Sequence, residues 1–413
     1  MKILVVCQHF YPENFRINDL TFELAKRGHD ITVLTGLPNY PEGKVLKEYK
    51  SFKNRKQVFK NVKIERCSLI GRGDSLFMMA LNYFWFACFG SLKAFKLKGK
   101  FDLVYVYQLS PVTMAWPAIV MKKRKKIPLI IHCLDQWPIS VTTGPISKTS
   151  LIYKLLYNIS VWTYKKADLI TVSSQSFVDY FEKELKITQH EKGLVYCPSY
   201  AESEYEKTER VDNEIFDIVF AGNIGPAQSC ETIIKCAEIL KGKQDIKFHL
   251  VGDGLSRKNC EDLVQKKQLK NVVFYGFHDI SEMPRFYGLA DCFVITMVDN
   301  QVVNSTLPAK LQSYMLAGKP IYGAIGGEVR KVVEEANCGE CVESGNAKGL
   351  ATIISNSYKE KKKLDKWGLN GLQYYKDHFE KELCINKLEN IFIAQINENK
   401  VFHEIERKKN GAG

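Results

Sequence analysis

Short apolar runs alternate with stretches of helical periodicity through the first half of the chain, which is the pattern of a doubly wound α/β domain. The runs at 3–7, 31–35, 62–67, 103–107, 128–134, 169–172 and 194–196 are the expected strands, and residues 17–26 read as a helix closed by Gly28. A second series opens at 216–221 and continues with runs at 246–251, 271–278, 292–297 and 321–325. Residues 201–214 between the two series are polar and acidic, the composition of a linker. The pattern predicts two α/β domains, at 1–200 and 215–380, with a last helix in 381–413 whose apolar stripe is Leu383, Ile385, Leu388, Ile391 and Phe392. The end from Arg407 is expected to fray. Ligands of such folds sit at the carboxyl ends of the strands, so the loops that follow them are where chemistry is sought.

The most legible loop is 303–324, which reads as loop, helix, stop and strand. Asn304, Ser305 and Thr306 are residue types that cap a helix, and Pro308 is tolerated in a first turn. A helix is therefore expected to start near Leu307, with Leu307, Leu311, Tyr314 and Met315 on one apolar face and Gly318 and Pro320 as the stop. A helix N-terminus with small hydroxyl residues, and Lys310 one turn in, is a ready anion site. The same residues also fit an ordinary capped helix with a solvated lysine.

Composition places the chain among globular proteins, since 45% of its 413 residues are hydrophobic and 25% charged. Its cysteines are scattered in apolar contexts, as expected of reduced thiols in a cytosolic protein, and Cys338-x-x-Cys341 lacks the second pair that zinc would need. Met1-Lys2 leads straight into a strand too short for the apolar core of a signal peptide, so a cytoplasmic location is expected. The formal charge of +13 calls for an anionic partner. The basic run 122–126 is either a solvated loop or a lipid contact, each cation near an anionic leaflet adding about 1 kcal/mol of attraction. No aromatic residue interleaves it and no nucleic-acid motif is present, so nucleic acid is not the expected partner. Residues 76–92 are uncharged and fall just short of the ~20 apolar residues of a spanning helix. They are expected to be partly core and partly dipped into a membrane surface, with a fully buried helix as the alternative.

Pro308-Ala-Lys-Leu-Gln-Ser-Tyr-Met-x-Ala-Gly-Lys-Pro320 is similar to the donor-site helix of family-4 glycosyltransferases of the GT-B fold, most of all their WbuB-like branch, associated with bacterial O-antigen and capsule assembly. Pro38-Asn39-Tyr40-Pro41-x-Gly43-Lys44 and Asp135-x-Trp137-Pro138 resemble the same branch. The resemblance implies two Rossmann-like domains facing a central cleft, with the last helix crossing back onto the first. On the donor side it implies roles for Gly222, Asn223, Gly225, Arg257, Ser305, Thr306, Leu307, Lys310 and Ser313, with Gly276, Phe277 and His278 meeting the nucleobase. On the acceptor side it implies Asn14, Asn39, Tyr40 and Trp137. Asp135 is the expected carboxylate facing the reacting sugar, whereas His132 fits a core histidine better.

The chain departs from the family pattern in several places. The usual pair of glutamates eight positions apart is replaced by Ser305 and Ser313, and a lysine common after the Gly222 turn is absent, with Gln228 near its place. The first loop lacks a glycine pair and offers Glu13, Asn14 and Arg16 instead; Arg16 is either a donor cation or a surface residue at a helix start. Gly252-x-Gly254 has Arg257 where a dinucleotide fingerprint needs its third glycine. No Asp-x-Asp occurs and the histidines lack ligand spacing, so no metal or other cofactor is expected, and the leaving group's charge falls to Lys310, Arg257, Arg16 and the helix N-terminus. The expected activity is retaining, metal-independent transfer of a sugar, an N-acetylated amino sugar by resemblance, from a UDP-sugar to an undecaprenyl-diphosphate-linked glycan. The protein would lie on the cytoplasmic face of the inner membrane, held through 76–92 and 122–126. A UDP-sugar 2-epimerase of the same fold and a noncatalytic membrane- or anion-binding protein are the alternatives.

Overall fold

In the computed structural model, strands β1 (Lys2–Val6), β2 (Asp30–Thr35), β3 (Lys56–Phe59), β4 (Val62–Arg66), β5 (Leu103–Gln108), β6 (Leu129–Cys133), β7 (Leu169–Val172) and β8 (Gly193–Tyr196) form one sheet. Their order is β3-β4-β2-β1-β5-β6-β7-β8, and every pairing is parallel except that of β3 with β4. β1 and β5 are central because nearly all of their residues are buried, as a sheet covered on both faces demands. The structure describes residues 1–73, 75–189, 193–202, 205 and 213–410, with the backbone alone for 406–410. Residues 203–204 and 206–212 of the expected linker, and 411–413 of the expected frayed end, lie outside the described residues. Two compact units result, Met1–Cys197 with Ile385–Gly413, and Pro198–Cys384.

Helices Leu76–Lys96, Trp116–Lys125 and Leu151–Lys165 of the first unit each connect a strand to one further along the same direction of the sheet. Right-handed crossovers therefore put all three on one face. Helix Arg16–Lys26 connects strands in the opposite direction and covers the other face. Helix Leu76–Lys96 is long and apolar enough to cross a membrane by length and composition, and only 22% of its most apolar window is buried. Its inner face is nevertheless built into the unit. Asn82 is fully buried, accepting from Gln8 Nε2 at 2.6 Å and donating to the Ile70 carbonyl. Gly90 lets the next helix approach, since a Cβ there would lie 2.8 Å from Pro117 Cγ.

The second unit holds β9 (Phe216–Ala221), β10 (Ile246–Val251), β11 (Val272–Gly276), β12 (Cys292–Thr296), β13 (Ile321–Ala324) and β14 (Gly339–Val342), all parallel in the order β11-β10-β9-β12-β13-β14. Alternation along β9 sends Ile218 and Phe220 into one core and Val219 and Ala221 into the other. The chain leaves β9 towards β10 on one side and meets β12 on the other, which makes the β9 carboxyl end the switch point where ligands of such sheets bind.

The expected last helix is Lys381–Asn410, preceded by a separate helix, Lys361–His378; it continues past Arg407, where fraying was expected. Its buried stripe is Cys384, Ile385, Leu388, Phe392 and Ile396; Leu383, expected in it, is 44% exposed because it falls off that face. The basic run 122–126 forms the last turn of helix Trp116–Lys125 and the residue after it.

Candidate functional site

Three loops of the second unit meet at the β9 switch point, and glycine is what lets them do so. Gly222 N–H donates to the Val251 carbonyl at 2.9 Å, Ile224 N–H to the Asp253 carbonyl at 2.8 Å and Gly252 N–H to the Gly276 carbonyl at 2.8 Å. Gly252 has φ +135° and a Cβ there would lie 1.9 Å from the Gly222 oxygen. The turns after β9, β10 and β11 are thereby stitched side by side. Tyr314 clamps them from below: its hydroxyl accepts from Ala221 N–H at 2.8 Å and donates to the Ala221 carbonyl at 3.1 Å, while its ring stacks on Phe293 at 4.1 Å.

Lys310 enters this cradle. Its Nζ donates to Gln228 Oε1, lies 4.2 Å from the Phe220 ring centroid and 3.5 Å from the Cβ position at Gly222. The residue keeps some exposure, yet desolvation of the ammonium lowers its pKa to about 8. Gln228, near the place of the absent lysine, thus holds the lysine that is present.

The helix around Lys310 differs from expectation. Residues Gln301–Ser305 form a short helix capped by Asn300, whose side chain accepts from Val302 N–H at 2.9 Å, and a second helix, Ala309–Leu316, begins only after Pro308. Proline pushes the residue before it towards extended backbone, so Leu307 cannot start a helix and is buried instead. Ser305 and Thr306 do not cap the second helix, because their hydroxyls donate back to the Val302 carbonyl at 2.9 and 2.8 Å. Ser313 is buried and donates to the Ala309 carbonyl at 3.2 Å.

Arg257 opens helix Arg257–Lys266, its guanidinium 3.0 Å from the Cβ position at Gly276. It is already paired, with Glu261 at 2.7 Å and Asp253 at 3.3 Å. Asn223 packs its amide 2.7 Å from the Cβ position at Gly225. Phe277 is 72% exposed, and His278 Nδ1 lies 3.0 Å from Glu282.

The remaining predicted residues belong to the first unit. Asp135 follows β6 and accepts from Ser110 Oγ and from Trp137 Nε1 at 3.1 Å. Burial pushes its pKa up against these donors. Trp137 is buried and also donates to Ser110 Oγ at 2.8 Å, so it orients the carboxylate. His132 is a core residue, bonded to Thr171 Oγ1 at 2.8 Å, and burial lowers its pKa to about 4. Asn14 is exposed and Arg16 half-buried at its helix start. Asn39 is buried, accepting from Arg72 N–H at 3.0 Å and donating to the Leu37 carbonyl at 2.9 Å. Glu13 is the residue of this loop that sequence reasoning left without a role. It is buried, and its carboxylate accepts from Asn39 N–H at 2.7 Å and Tyr40 N–H at 2.6 Å and lies 3.1 Å from His9 Nδ1. A glutamate in an otherwise apolar and amide-rich loop was the available signal. Tyr40, 44% exposed, leans against His9 and Phe15.

Two α/β units, one with a mixed and one with an all-parallel sheet, the second carrying a glycine-built turn with Lys310 beside it, define the GT-B class. Residues 15–201 match the family Glycosyltransferase Family 4, and residues 201–374 match Glycosyl transferases group 1. The chain belongs to the glycosyltransferases in which a half of the first family precedes a half of the second. It is 21% identical over 340 residues, 77% of this chain and 82% of the other, to a candidate colanic acid biosynthesis glycosyl transferase, WcaI, of Escherichia coli (strain K12). Sucrose-phosphate synthase from Thermosynechococcus elongatus shares the fold with a TM-score of 0.73 at 13% identity, over 96% of this chain and 99% of that one. HepE of Anabaena, solved in complex with UDP and glucose, does so with a TM-score of 0.68 at 17% identity, over 95% and 99%. With both halves matched to glycosyltransferases, the epimerase and noncatalytic alternatives are left without support.

Proposed function

We propose that this glycosyltransferase takes its sugar from a UDP-sugar and transfers it, with retention and without a metal, to a lipid-linked glycan during synthesis of a surface polysaccharide. The observation that carries the donor reading is the Lys310 ammonium held over the Gly222 turn at the β9 switch point, in a cradle too tight for side chains. Such a cation beside closely packed backbone suits a diphosphate and meets the negative charge that builds on it as the glycosidic bond breaks. Gly276 to His278 offer the nucleobase an exposed aromatic edge. Metal independence is supported by the lack of Asp-x-Asp in the sequence. Asp135, oriented by Ser110 and Trp137, is the carboxylate proposed to face the reacting sugar. Retention and an N-acetylated amino sugar follow from family resemblance; polysaccharide synthesis is supported by the kinship with WcaI. A lipid-linked acceptor, undecaprenyl diphosphate by resemblance, goes with a peripheral place on the cytoplasmic membrane face.

Calorimetric titration of UDP in excess chelator tests this. Binding should survive chelation and weaken at least about tenfold in Lys310→Ala, the loss of one charge-assisted contact. Unchanged affinity in the variant, or binding only when metal is restored, would refute the grip described.

A further inference from the structure

Two helices of the first unit turn apolar side chains outward. Helix Leu76–Lys96 buries Asn82, Phe86, Ala87, Gly90 and Ala94 and exposes Leu76, Phe77, Phe84, Leu92 and Phe95. Helix Leu151–Lys165, which no sequence feature singled out, buries Tyr153, Ser160, Thr163 and Tyr164 and exposes Leu151, Ile152, Leu155 and Trp162. Helix Trp116–Lys125 joins them. Its Pro117 packs at Gly90, Arg124 donates to the Leu97 carbonyl at 2.7 Å, and Trp116 meets the Trp162 ring edge-on at 6.1 Å while donating to Thr163 Oγ1 at 3.1 Å. The three make one layer on one face of the sheet.

Each of these helices runs back against the strand it follows, so their C-terminal ends gather along one edge. The cations collect there: Lys93 and Lys96, then Lys122 to Lys125, then Lys165. Lys93 is paired with Glu65 and Lys122 with Asp168, whereas Lys96, Lys123, Lys125 and Lys165 have no ion pair among the described residues. Two cations sit directly on the outward aromatic residues, Arg124 at 5.6 Å from the Phe95 ring and Lys166 at 5.6 Å from that of Trp162. An exposed apolar face bordered by cations is the chemistry of a surface that rests on anionic lipid, with aromatic rings at headgroup depth.

We propose that this three-helix layer is the docking surface for an anionic bilayer, with the Leu151–Lys165 helix as an equal partner of the Leu76–Lys96 helix. Side chains of both enter the headgroup and acyl boundary while the cations at their ends meet lipid phosphates. This deepens the membrane part of the function proposed above and rests on it. A second copy of the chain is the rival occupant, but the unpaired cations on the rim would then face each other.

Flotation of the full chain with vesicles of phosphatidylglycerol and phosphatidylethanolamine, against phosphatidylcholine alone, tests the assignment. The chain should float with the anionic vesicles and be released by high salt. Leu151→Ser with Leu155→Ser, and separately Lys96→Glu with Lys125→Glu, should each lower the bound fraction about tenfold. UDP titration of the same variants should match wild type, which certifies their fold. Wild-type chain that ignores anionic vesicles, serine variants that float as well as wild type, or a dimer in sedimentation that the serine pair dissolves would each overturn the proposal. UDP binding without vesicle binding refutes this surface alone, and vesicle binding without UDP binding refutes the donor reading alone.

Discussion

Among the described residues Lys310 has no ion pair; its neighbours are the Gln228 amide, the Phe220 ring and the Cys230 thiol, itself pushed up to about 12 by burial. The ammonium is thus poorly compensated, and desolvation brings its pKa down to about 8. An anion entering the cradle favours the charged form, so binding and protonation help each other. Below about pH 8 the lysine is charged and UDP affinity should be flat; above it, affinity should fall by up to about tenfold per pH unit until the bound-state pKa is reached. Titrations between about pH 7 and about pH 9 check this. Lys310→Arg, which stays charged throughout, should remove the slope, and a slope that persists in that variant would place the titrating group elsewhere.

The loops of the second unit owe their arrangement to backbone that only glycine tolerates. Gly252→Ala would drive a Cβ to 1.9 Å from the Gly222 oxygen at a φ of +135°. Strain of this kind costs at least about 1–3 kcal/mol before any clash is counted. The variant should lose UDP binding and unfold at lower urea, and wild-type behaviour in both would show that the stitching is dispensable. This cradle was half-visible in the sequence: the glycine pairs at strand ends mark close backbone approach, but not that Gln228 and Tyr314 hold lysine and strand in place. The central strands were legible because unbroken apolar runs have few other uses. β3 and β14 were not, since both are edge strands with polar or half-exposed residues, Lys56 and Gln57 in one and Glu340 in the other, and need only one covered side. The helix carrying Lys310 was placed two residues early because Asn304, Ser305 and Thr306 look like caps whichever helix they end or begin. The outward apolar face of helix Leu151–Lys165 was hidden because ten of its fifteen residues are apolar or aromatic, so the sequence does not separate the buried face from the outward one.

At the scale of the whole molecule the first unit is discontinuous in sequence, closed by the segment from Ile385 onward. Phe392 is fully buried, edge-on to Tyr105 at 5.2 Å, and Glu389 binds both Arg27 and His29 at 2.5 Å. His29 in turn contacts the amino terminus at 3.2 Å. Phe392→Ala should destabilise the first unit by about 3–5 kcal/mol. Tryptophan fluorescence during urea unfolding reads this selectively, because Trp85, Trp116, Trp137 and Trp162 lie in that unit and Trp367 in the other. An unchanged fluorescence midpoint would contradict the structural role given to the helix.

The same discontinuity sets an order of events at the ribosome. The half that emerges first cannot cover Tyr105 until residues 385–396 have been made, after the whole of the other half. The nascent chain therefore carries an unfinished apolar surface through the synthesis of residues 198–384, a period in which chaperones or premature pairing with a neighbouring chain compete for it.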